Sequence, residues 1–147
     1  MTSQTKHCQA TPSWSIFVPT DFVEVHNADS WQAHAGPRIV YVSSMKVANG
    51  ENRAPAAALR VMAARKLAPP SEVERYPRDE VEVQGDAQIT SSATGFELKG
   101  FACADGNVAT CVINFDHDDD RDWAIATWRS LQPASLPAKP RPWWRFW

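Results

Sequence analysis

The densest group of side chains able to do chemistry is DHDDDRD, residues 116–122, which holds Asp116, His117, Asp118, Asp119, Asp120 and Asp122. A hard divalent cation takes several carboxylate oxygens, and this run supplies them in number. It lacks the spaced ligands and the glycine of an EF-hand loop. The simpler reading is an acidic helix start, where aspartates cap free N–H groups and suit the positive end of the helix dipole. His26 and His34 flank Trp31 in HNADSWQAH. Eight residues is not the short helical spacing of a zinc-binding pair, and no third ligand stands near. Both histidines read as polar loop surface. The three cysteines, Cys8, Cys103 and Cys111, are widely spaced without C-x-x-C, which argues against a metal knuckle and a disulfide framework. Gly-rich phosphate loops, a G-x-S-x-G elbow and an H-E-x-x-H helix are all absent. No catalytic residue, metal ligand or cofactor is therefore assigned.

A second kind of chemistry belongs to KPRPWWRFW, residues 139–147. Arg141, Trp143, Trp144, Arg145, Phe146 and Trp147 are of the types that dominate binding hot spots. The preceding QPASLPAKPRP, residues 132–142, holds four prolines and reads as an extended spacer. The tail suits docking in trans on a protein partner. As a membrane anchor it is weak, with about five residues at the interface. Docking in cis requires burial of nearly all four rings, because ordering the segment costs about 1–2 kcal/mol per residue.

The elements that position these groups read as one small domain. The chain has 147 residues, 44% apolar and 22% charged, enough to bury a core. Net charge is −2, and residues 1–138 carry 12 basic against 17 acidic groups, which leaves no basic footprint for nucleic acid. No apolar run of signal-peptide or membrane-spanning length is present, so the expected compartment is the cytoplasm. Residues 1–11 read as a flexible N-terminal segment, 12–132 as a single α+β domain, and 133–147 as the proline-rich spacer with its aromatic tail.

Residues 80–116 carry the clearest pattern. In EVEVQGDAQITSSA the positions Val81, Val83, Gly85, Ala87 and Ile89 alternate with polar ones, as in a half-buried strand, with Gly85 suited to a bulge. Two-residue turns at Thr94-Gly95 and Asp105-Gly106, the second of type I′, then make a three-stranded meander. They pair Phe96 with Phe115, Leu98 with Ile113, Gly100 with Cys111 and Ala102 with Ala109. On the other side they pair Ala93 with Phe96, Ser91 with Leu98, Ile89 with Gly100 and Ala87 with Ala102. Cys103 and Cys111 thereby fall on opposite faces, both free thiols, with Cys103 outward and the faster to label. Small residues near Asp105 leave room for the Trp123 and Trp128 face of a last helix closed by Pro133. The opposite face groups Phe101, Cys103, Val108 and Val112, which either lie under another element or form a partner surface.

In the first half, WSIFV and RIVYVSSMKV read as strands, the second apolar on both sides across Ile39–Val42. Residues 20–36 read as a short strand and loop. APAAALRVMAARKL reads as a helix with Leu59, Met62, Ala63 and Leu67 as its buried stripe, followed by a connector up to Glu80. The order β-β-α-β-β-β-α predicts an antiparallel sheet of about five strands with both helices on one face. This plan, with FVP at 17–19 in the opening strand and WRSL at 128–131 ending the last helix, resembles the PsbP-like fold and its bacterial DcrB-like relatives. The resemblance implies a binding or adaptor domain, since that group serves in assembly, import and secretion, and it carries no catalytic residues over. The expected function is a non-catalytic protein-binding domain (adaptor, chaperone or toxin-neutralising partner). It uses the patch of Phe101, Cys103, Val108 and Val112 together with the tail. The alternative is a small metal-dependent enzyme or metal-binding protein built on the Asp116–Asp122 cluster. Nothing in the sequence specifies an oligomeric state.

Overall fold

A computed structural model of the chain describes residues 4–28, 30–49 and 52–134. Its elements run β1 (Thr5–Thr11), β2 (Trp14–Pro19), β3 (Val23–His26), β4 (Ser30–Ala35), β5 (Arg38–Lys46), β6 (Ala48–Asn49), β7 (Asn52–Arg53) and α1 (Ala56–Ala64). There follow β8 (Arg75–Asp79), β9 (Gln84–Ser92), β10 (Gly95–Ala104), β11 (Asn107–Phe115), a 3₁₀ turn at Asp118–Asp120, α2 (Arg121–Arg129) and β12 (Gln132–Pro133).

The main sheet has seven antiparallel strands in the order β3-β4-β5-β11-β10-β9-β8, and a second sheet pairs β1-β2-β12. The expected count of about five falls short because four strands have weak hydrophobic signatures. Residues 5–11, expected to be flexible, form β1, whose Cys8 and Ala10 are buried against the main sheet. Residues 20–36 hold β3 and β4, and the connector before Glu80 holds β8.

The meander of β9, β10 and β11 carries the pattern read from sequence. Phe96↔Phe115, Leu98↔Ile113, Gly100↔Cys111 and Ala102↔Ala109 are all paired as expected. The β9–β10 pairing keeps the expected face but is displaced by one pair. Leu98 faces Ile89, Gly100 faces Ala87, and Ala93-Thr94 form the turn rather than Thr94-Gly95. Gly95 lies inside the strand at φ 142°, and a side chain there would strike the Phe115 carbonyl. Gly85 makes no bulge; a Cβ on it would lie 1.9 Å from the Phe101 carbonyl oxygen, so its role is close strand approach. At Asp105-Gly106 only Gly106 takes a positive φ, 77°, so the turn is not type I′. Asp105 is held instead by α1, whose Ala56 N–H it accepts at 2.9 Å.

The two helices lie on opposite faces of the main sheet, not on one. On the inner face, α2 and the small sheet bury Trp14, Ile16, Val18 and Trp128 against Trp31, Ala87, Leu98, Ala102, Cys111 and Ile113. The Trp128 ring occupies the space that a side chain at position 100 would fill, and its Nε1–H donates to the Phe101 carbonyl at 3.3 Å. The small-residue face thus receives the bulky layer its composition calls for, and a fully buried Trp of this size contributes several kcal/mol. On the outer face, Leu59 and Ala63 of α1, with Leu67 just past its end, lie over Phe101, Cys103 and Val108, while Met62 turns outward. Arg60 ties the helix down by a bidentate pair with Asp86 (2.9 and 3.0 Å) and a further contact to Asp79.

Candidate binding surface

Cross-strand register arranges the outer face in rows. One row runs Val25, Gln32, Tyr41, Val112, Lys99, Gln88; the next runs Val23, His34, Ile39, Asn114, Glu97, Thr90. The helix α1 packs mainly over β9 and β10 and the near edge of β11. Outward side chains of β3, β4 and β5 are left uncovered, and beside Gln32 and His34 they include large apolar groups. Val25, Tyr41 and Met45 stand 41%, 39% and 56% exposed, beside half-buried Ile39 and Val112. Large apolar groups grouped on one open face mark a contact surface more often than scattered ones do.

Where α1 meets this open face there is a groove of about 220 Å³. Phe101, Val108 and Leu59 line its apolar interior together with Met45 and Met62, both more than half exposed. Unbranched, polarizable methionines at such a rim adapt to differently shaped partners. Other hollows are larger. One of about 550 Å³ at the Asp105 end is lined by Lys46, Arg53, Glu82 and Asp105.

The residues expected to form a partner surface are thereby redistributed. Phe101, Cys103 and Val108 are buried beneath α1, so they do not present a free face. Phe101 and Val108 reach the surface only as groove lining, and Val112 alone lies in the open part. Arg141, Trp143, Trp144, Arg145, Phe146 and Trp147 lie outside the described residues. Met62, read from sequence as part of a buried stripe, is exposed, and Val25, Tyr41 and Met45 escape sequence reading. Their signal is the two-sided apolarity of Ile39–Val42, which reads as an interior strand until the cover over each face is counted.

The groups considered for catalysis do not converge. The Asp118–Asp120 turn is solvated, Arg121 pairs with Asp118 at 2.8 Å, and His117 approaches Asp116 at 3.7 Å. No aspartate there makes a side-chain cap to α2, so their contribution at the helix start is electrostatic. Among the described residues no three His, Cys, Asp or Glu side chains group so as to hold a metal ion. His26 shares the inner face with Trp31, whereas His34 projects from the outer face, which separates the pair. Cys103 is fully buried, and desolvation with the nearby Asp86 charge pushes its thiol up to about 11, away from nucleophilic thiolate chemistry.

Comparison with known proteins bears on the fold. No family model matches the chain, and no curated protein matches it in sequence. Its structure is similar to the solution structure of cyanobacterial PsbP (CyanoP) from Synechocystis sp. PCC 6803. The TM-score is 0.60 at 8% identity, over 90% of this chain and 94% of that one. The chain has a PsbP-like fold. Among the described residues no helix is long and apolar enough to cross a membrane.

Proposed function

We propose that this PsbP-like domain is a non-catalytic binding protein whose partner surface is the uncovered part of the outer sheet face. The observation that carries the reading is that Val25, Tyr41 and Met45 stand exposed on the uncovered face, with Met45 and Met62 at the rim of an apolar groove, while the inner face is packed. Aromatic and methionine side chains in that setting supply area and adaptability for a protein contact. The Trp/Arg segment at 139–147 belongs to the same reading as a second contact element, docking in trans. Within it, adaptor, chaperone and toxin-neutralising roles, and the DcrB-like kinship, are distinguished by the identity of the partner. The metal-dependent alternative has no grouped ligand set behind it among the described residues.

The test is affinity capture from the native lysate by three baits: the full chain, a Tyr41→Asp/Met45→Asp variant, and a chain lacking residues 139–147. Both substitutions are at exposed sites, so melting temperatures should stay within a few degrees of the parent. A protein recovered by the parent and lost with the double variant supports the surface. Equal recovery by all three baits contradicts it.

A further inference from the structure

Basic side chains at the end of α1 and on β10 border the apolar groove. Lys66 lines the groove itself, and Arg65, at the C-cap of α1, is exposed beside it. Lys99 projects from the same face of β10 as Phe101. Its cross-strand neighbour Gln88 accepts a 2.8 Å hydrogen bond from the Ala68 N–H, just beyond α1, which brings Lys99 to that end of the helix. Lys66, Arg65 and Lys99 make no ion pair with any described residue. One exposed carboxylate, Glu97, shares this face two positions along β10 from Lys99, on the side away from the groove. Asp86 and Asp79 are both held by Arg60, and the outward positions of β3, β4, β5 and β11 include no aspartate or glutamate. On a chain with more acidic than basic groups, this is a local reversal of sign.

We infer that the groove takes an acidic amphipathic segment of a partner protein, with an apolar side chain between Met45 and Met62 and carboxylates toward Lys66, Arg65 and Lys99. The inference rests on the outer face being the partner surface. Charge complementarity selects the class, since like charges across an interface are costly and opposite ones steer encounter. The chain's own 139–147 segment carries three basic groups and no acidic one, so it is the wrong sign for this site. A concave apolar cleft suits an inserted side chain of a helix or strand better than a flat bilayer.

Anisotropy titrations of the full chain with labelled synthetic peptides test it. One peptide of about 15 residues has leucines at i, i+3 and i+7 among glutamates, and a second has the same leucines among lysines. Residues 133–147 make the third probe, and vesicles of mixed phosphatidylcholine and phosphatidylglycerol the fourth. The expected result is preferential binding of the acidic peptide, weakened by salt and lowered about tenfold by Lys66→Glu, with Met62→Glu also disruptive. Thermal melts of both variants, altered only at exposed positions, confirm that they fold. Tighter binding of the lysine or tail peptide, binding to vesicles alone, or self-association that excludes the peptides overturns the inference. If the lysine peptide binds and Met62→Glu abolishes it, the groove stands as a protein surface and only the charge class fails. If no peptide binds and the Tyr41→Asp/Met45→Asp bait still captures the parent's partners, the surface itself fails.

Discussion

Glu24 ties the small sheet to the large one. Its carboxylate accepts from Trp31 Nε1 at 3.1 Å, contacts His26 Nε2 at 3.2 Å, and lies 3.7 Å from Lys6, whose ammonium also donates to the Phe22 carbonyl. The Trp31 hydrogen bond above all holds its carboxyl below the usual value near 4.5. A carboxyl depressed on folding contributes stability that is present above its unfolded pKa and lost as pH falls through its folded one. Glu24→Gln should cost about 1 kcal/mol at neutral pH and flatten the acid side of the stability curve, as measured by urea melts from about pH 7 down to about pH 3. The thiols give a second check at this scale. Burial pushes Cys8 and Cys103 up to about 11 and raises Cys111 further, and all three are buried and free. Native protein should therefore be nearly inert to a thiol reagent, with all three reacting on unfolding. This replaces the expectation that Cys103 labels ahead, because α1 covers it. A Cys103–Cys111 disulfide in oxidised protein would contradict the register.

Among the elements, the contact of α2 with the meander is the most constrained. A Cβ on Gly100 would lie 2.6 Å from Trp128 Nε1 and 3.0 Å from the Ala87 Cβ, with Trp128 itself fully buried. Trp128→Ala should cost about 3–5 kcal/mol, and Gly100→Ala about 1–3 kcal/mol by overpacking. Denaturant melts of the two variants check the order of the effects, and a parent-like melt for Trp128→Ala would show α2 to be misplaced. The meander was legible in sequence because alternation and small residues agree across its three strands, although Val81, read as part of the first strand, lies outside it and is almost fully exposed. The one-pair displacement at β9–β10 was not, since a shift of two residues keeps every side chain on its face and leaves hydrophobic pattern blind to it. β1 and β8 are sparse in large apolar groups, and the two valines of β3 face outward. Cys8 and Ala10, Glu24 and Arg78 face the interior in places where sequence reading expects Val or Leu. The helices were legible as helices, but the face each one takes was not. That choice depends on which side of the main sheet the β1-β2-β12 layer occupies.

At the scale of the molecule, the inner face is closed by a sheet and a helix, whereas a single short helix leaves half of the outer face open. That asymmetry is the basis for reading the domain as a binding protein. Phe101 and Val108, expected from sequence to form a partner surface, are covered by α1, because nothing local to those residues says that the helix lands on them. Hydrogen exchange of the full chain with and without its captured partner tests the central claim most directly. Protection is expected over Ile39–Met45, Val108–Asn114 and the second half of α1, with β1 and β2 unchanged. Protection confined to residues 5–19 or 116–122 would place the contact elsewhere and contradict the assignment of the outer face.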